Sequence, residues 1–209
     1  VTNAVTFGTS GTVVFGNGAD TLTFTGGLVH SAGPNSIAGT LATTNTALTL
    51  NSATAVTTNS SIAAGSGTVT LGAATLSDGV TLTLGTGDSG AITATSFTGT
   101  ASGSASNVTF NVTGAVTVSG AIGTDIGTLT VTNSGGATSS GAVGASGAGN
   151  SVASIVLTAT TGTVAFNGDL YATGITNAGG NFNLNLFGTT TNVTNAVTFG
   201  TSGTVVFGN

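Results

Sequence analysis

Apolar and small polar residues alternate nearly one for one along most of the chain. Thr21-Leu-Thr-Phe-Thr25, Ala47-Leu-Thr-Leu50, Thr68-Val-Thr-Leu71, Val80-Thr-Leu-Thr-Leu84, Asn107-Val-Thr-Phe110, Ala115-Val-Thr-Val118, Thr128-Leu-Thr-Val131, Ser154-Ile-Val-Leu157 and Asn181-Phe-Asn-Leu-Asn-Leu186 mostly keep this pattern. A period of two predicts β-strands with one buried face, because successive side chains on a strand point to opposite sides. Val and Thr favour this conformation, since their branched Cβ fits a pleated surface. Gly, Asn and Ser separate the runs and predict turns. No segment shows the i, i+3, i+4 spacing of an amphipathic helix, so an all-β fold is expected.

The runs belong to a repeat. Residues Val1 to Asn17 recur letter for letter as Val193 to Asn209, an offset of 192 positions. Seventeen identical positions do not arise by chance. Residues 1–192 are therefore expected to form one repeat unit, and residues 193–209 the start of the next, identical one. Within the unit, Val5-Thr-Phe7, Gly11, Val13, Phe15 and Thr21-Leu-Thr-Phe24 match Val108-Thr-Phe110, Gly114, Val116, Val118 and Thr128-Leu-Thr-Val131, with an offset drifting from 103 to 107. A shorter period lies beneath. Glycines end strands at Gly26, Gly99, Gly120, Gly141 and Gly168, with gaps that fit multiples of roughly 21 to 27 residues.

A short strand with one apolar face needs a partner layer, and stacked coils supply it. The reading is a parallel β-solenoid of about 8 to 9 coils per unit, with right-handed crossovers expected. The competing fold is a tandem of immunoglobulin-like β-sandwiches of about 100 residues each. The half-unit offset permits it, but it leaves the short period unexplained.

Composition narrows the function. The chain contains no Lys or Arg, five Asp and no Glu, and 36 glycines in 209 residues. Without cations it cannot pair with phosphate backbones or anionic headgroups, so nucleic-acid binding and electrostatic membrane binding are excluded. With no Cys there is no disulfide or thiolate metal site. No apolar stretch approaches the eighteen or so residues of a membrane span. Trypsin-like proteases find nothing to cut, which suits an extracellular setting.

The turns Gly120-Ala-Ile122 and Gly141-Ala-Val143, the first directly after a Thr-Val strand, resemble those of the β-strand-repeat passengers of autotransporter and filamentous-haemagglutinin-like adhesins. The resemblance is one of composition, strand spacing and glycine-ended strands. It implies a right-handed β-helix exported to a bacterial surface and carries over no functional residue.

Several motifs have a chemical and a plainer reading. Gly87-Asp-Ser-Gly90 resembles the nucleophile segment of trypsin-like proteases, with His30 and Asp78 before it, yet Ala91 and Ile92 replace the following Gly-Pro. A Gly-rich turn is the expected structure. Gly16-Asn-Gly-Ala-Asp-Thr-Leu22 is close to one calcium β-roll nonapeptide, but such sites need consecutive copies. Asp20 is expected to cap a turn. Thr pairs at Thr21/Thr23, Thr68/Thr70, Thr81/Thr83 and Thr128/Thr130 resemble the ladders of ice-binding solenoids, or are the polar half of strands. Asn59, Asn107, Asn111 and Asn192 stand in glycosylation sequons. Most of the ten Phe residues are expected in the core; Tyr171 and His30 are single. No catalytic, cofactor or metal residue is assigned. The expected role is a non-catalytic structural repeat of an extracellular or bacterial cell-surface filament, stalk or matrix. Its partners are neighbouring copies, in tandem and laterally. The alternative is an adhesin module that binds glycans or a surface receptor through its side face.

Overall fold

The computed structural model describes residues 3–208. It contains 22 strands, and every pairing among them is parallel. A sandwich would pair neighbouring strands antiparallel. The immunoglobulin-like alternative is therefore set aside, and the chain is a β-solenoid of about ten turns.

Each coil has three sides. Side one stacks Val5–Phe7, Leu28–His30, Leu48–Leu50, Val69–Leu76, Ile92–Gly99, Val116–Val118, Ala137–Ser139, Thr163–Phe166, Asn183–Leu186 and Val205–Phe207. Side two begins with Val13–Phe15, Asn35–Ile37 and Thr54–Val56, which then pair with the second half of Val69–Leu76. From Phe97 it thins to single bridges through Ile122 and Val143 to Leu170, and ends on Thr191–Val193. Side three runs from Thr21–Phe24 through Thr40–Thr43, Ser60–Ala63, Thr81–Asp88, Ser106–Val112, Ile126–Thr132 and Val152–Thr158 to Leu170–Ala178. One coil takes about 22 residues, so each step adds roughly 4.8 Å, the spacing of hydrogen-bonded strands.

The alternation becomes columns. On side one, Val5, Leu28, Leu48, Val69, Ile92, Val116, Ala137, Val164, Leu184 and Val205 stack in register. On side three, Leu22, Leu41, Ile62, Leu84, Phe110, Val131 and Leu157 do the same. Most of these side chains are fully buried in one continuous core. A cavity beside Phe110, Val118 and Phe166 holds about 20 Å³, room for about one water.

Glycines make the corners. Gly120, Gly141 and Gly168, three of the periodic set, stack on one another and continue to Gly188. Gly99 lies instead on side two against Asp125, and Gly26 sits in the turn that follows Thr21–Phe24. A second glycine column precedes side one at Gly67, Gly90, Gly114, Gly135 and Gly162. A Cβ on Gly90 would fall on the Gly67 carbonyl, and one on Gly162 on that of Gly135. At this corner the backbones of successive coils approach too closely for any side chain.

Candidate functional site

His30 is fully buried where side one turns toward side two. Its Nε2 lies 3.0 Å from the Thr9 carbonyl oxygen. Its Nδ1 lies 2.7 Å from Asn35 Oδ1, and Asn35 Nδ2 donates to Thr54 Oγ1 at 3.3 Å. Neither Asp78 nor Ser89 is a partner of this ring. The Gly87–Gly90 segment is not the expected turn: Gly87 and Asp88 end the strand Thr81–Asp88 past a register shift. Asp88 clamps it to the coil before by accepting the Ala64 and Gly65 amides at 2.7 and 3.1 Å, and it accepts the Thr86 hydroxyl at 3.1 Å. The trypsin-like trio is thus dispersed.

Asp20 accepts the Asn17 amide at 2.7 Å and closes its own turn. Among the described residues no three His, Cys, Asp or Glu side chains gather in a metal-binding cluster. The Thr pairs divide between two sides. Thr21, Thr23, Thr81, Thr83, Thr128 and Thr130 lie on side three, while Thr70 joins side one in the unbroken outward column Thr49, Thr70, Thr93, Thr117, Thr138. That column is one residue wide.

Asx side chains tie coil to coil, as expected of stacked coils rich in Asn, at positions the sequence did not single out for that role. Asn45 Oδ1 accepts the Ser66 amide at 3.0 Å, Asn59 that of Thr81 at 2.8 Å, and Asn107 that of Thr128 at 2.9 Å. Asp169 Oδ1 accepts the Thr190 amide and the Thr189 hydroxyl, both at 2.8 Å, and Asn183 accepts the Thr204 amide at 2.9 Å. Each acceptor serves an amide one coil later that lacks a strand partner, at a corner or strand start or, for Thr128, at the register shift inside Ile126–Thr132. The Asp169 carboxyl is held below its ordinary value, first by the Thr189 hydroxyl and then by the Thr190 amide. Two sequon residues, Asn59 and Asn107, act as such ties, and Asn111 accepts from Asn133 at 2.8 Å. Asn192, the fourth, is exposed.

A surface concavity surrounds Tyr171. The longest coil carries an extra loop through residues 140–151, closed by the Ala145 amide on the Asn150 carbonyl at 2.9 Å. Gly144, Gly147 and Gly149 turn it with positive φ. Ser146 and Ser151 from this loop, Tyr171 and Thr173 from the next coil, and Asn192 and Thr194 from the one beyond border a cleft of about 380 Å³. Hydroxyls, an amide and one aromatic ring line it, and no carboxylate does. No protein family, curated protein or solved structure matches the chain.

Proposed function

We propose that the chain is a non-catalytic structural segment of an extracellular rod or stalk, built from tandem copies of its 192-residue unit on a bacterial cell surface. The observation that carries this reading is the unbroken apolar column. The coils share one core from end to end, and the segment that opens the chain recurs at its close. A further coil can dock on the last one with the same contacts. The composition agrees, with its lack of protease-sensitive Lys and Arg, as does the likeness in turn style to autotransporter and filamentous-haemagglutinin-like passengers. The test is electron microscopy of the parent protein on its cell. The expected result is a rod of uniform width with an axial spacing near 4.8 Å and an advance of about 42 Å per unit. Beads, or a location inside the cell, would overturn the reading.

A second reading, an adhesive module, is favoured by the Tyr171 cleft. An aromatic face beside neutral hydroxyl and amide groups suits an uncharged sugar, whose C–H face stacks while its hydroxyls bond. Binding on a glycan array that vanishes in Tyr171→Ala would support it. Failure of the native chain to bind any glycan would remove it.

A further inference from the structure

The identical segments at the two ends of the chain do not occupy the same side of the solenoid. In the first copy, Val5–Phe7 lies on side one, paired with Leu28–His30, and Val13–Phe15 lies on side two, paired with Asn35–Ile37. In the second copy, Val205–Phe207, the counterpart of Val13–Phe15, lies on side one, paired with Asn183–Leu186. Phe199, the counterpart of Phe7, lies along side three. There Asn177 donates to the Thr198 carbonyl at 3.2 Å and accepts the Gly200 amide. The preceding Thr194 and Asn195 amides bond the Ala172 and Thr173 carbonyls at 3.1 and 2.9 Å, so this stretch follows Leu170–Ala178 residue by residue. Counting sides along the chain, the unit spans eight coils and two sides of a ninth.

The local packing of the two copies is nevertheless the same. The Phe7 and Phe15 rings meet edge to face at 5.8 Å and 77°, and the Phe199 and Phe207 rings at 5.7 Å and 73°. The first coil explains why. It reads Val-Thr-Phe on side one, Val-Val-Phe on side two and Leu-Thr-Phe on side three, one apolar-x-Phe triplet per side. Phe7, Phe15 and Phe24 converge on the axis with centroids 5.8 to 6.3 Å apart. A coil with nearly equivalent sides docks on the coil before it in any of three rotations, with similar burial each time. Its sequence sets no azimuth, and the length of the unit sets it instead.

We propose that successive copies in the array are each turned by one side of the solenoid, so that every surface feature recurs on all three sides and returns to the first after three copies. Three units then make 26 coils, about 125 Å of rod. A feature borne once per unit, such as the Tyr171 cleft, faces three directions in turn. The rod therefore has no single adhesive side, and it packs against other copies of this chain in three directions rather than in a one-sided sheet. This inference rests on the tandem-rod reading for its consequences, while the offset itself lies within this chain and is tested there.

The test is disulfide trapping in the 209-residue chain. Asn185 and Val206 face outward as register partners on side one. At one strand spacing their Cα separation lies in the range a disulfide accepts. Were the second copy in phase with the first, Val206 would lie instead on side two, above Asn192. The control is Val14 with Ser36, partners in the first copy. The expected result is that Asn185→Cys/Val206→Cys and Val14→Cys/Ser36→Cys both oxidise to completion, while Asn192→Cys/Val206→Cys stays reduced. A linked Asn192/Val206 pair, or an unlinked Asn185/Val206 pair beside a linked control, overturns the rotation and leaves the rod intact. Failure of the control as well would refute the coil itself, and the rod with it.

Discussion

Asp169 gives the solenoid a specific response to acid at the scale of one residue. Its carboxylate accepts the Thr189 hydroxyl and the Thr190 amide of the following coil, and these bonds lower its pKa from 3.8. A group with a depressed folded pKa adds stability that is complete above its unfolded value and disappears as pH falls through the folded one. The melting temperature of the native chain should therefore drop as pH is lowered from about 4 toward 2, and Asp169→Asn should show a shallower drop over the same window. Parallel curves would mean that the carboxylate is not linked to folding. Single residues were the least legible scale in the sequence. His30 stands among apolar neighbours in Leu28-Val-His-Ser and discloses nothing of a bond to Thr9 across 21 positions. Asn45 and Asn59 look like any turn asparagine until the coil length is known, because the amide each one holds lies 21 or 22 residues ahead.

At the scale of the element, the strands found from the sequence were those whose inward positions carry Leu, Val, Ile or Phe. All nine of the alternating runs contain strands, and their ends shift by a few residues. Four of the missed strands turn small or polar side chains inward, while others, Ile92–Gly99 and Leu170–Ala178 among them, bury apolar residues whose alternation is broken by Ala and Gly. In Asn35–Ile37, Thr54–Val56, Ser60–Ala63 and Ala137–Ser139 the buried positions include Asn35, Thr54, Ser60 and Ser139. Their hydroxyl and amide groups bond other strands or nearby carbonyls, so burial there leaves no apolar period to read. The corner column Gly67, Gly90, Gly114, Gly135, Gly162 was legible and went unread, hidden by the many glycines with no structural demand. It gives a direct prediction. Gly90→Ala places a methyl on the Gly67 carbonyl and forces two coils apart, which should cost about 1–3 kcal/mol or more, as overpacking does. Gly87→Ala, where a methyl meets open space, should cost less despite its positive φ. Urea denaturation of the two variants decides it. A Gly90→Ala chain as stable as the native one would show that the corner can open.

At the scale of the whole molecule, the 209-residue chain taken alone exposes a coil face at each end, and its composition leaves those faces unguarded. Solenoids and sheets protect their edges with Lys, Pro, inward charges or a covering loop. This chain has no Lys and a single Pro, and its net charge of −5 is too small to keep copies apart. Among the described residues Val205–Phe207 is the last strand of side one, with Phe207 64% and Val206 36% exposed. At the other end, Val5–Phe7 and Val13–Phe15 pair on one edge only, above the aromatic layer of Phe7, Phe15 and Phe24. Each end presents the N–H and C=O rows and the apolar columns that the next coil would cover. The isolated 209-residue chain should therefore associate end to end, with a sedimentation coefficient that rises with concentration and particles that lengthen at constant width. Phe207→Asp should stop it. The side chain is already largely in water, so the fold keeps its stability, but docking would bury an unpaired carboxylate at a cost of several kcal/mol. A native chain that sediments as a monomer at every concentration would mean that the last coil is closed by something other than its neighbour. Growth that Phe207→Asp leaves unchanged would place the contact on the flanks of the rod, along the outward Thr and Asn columns.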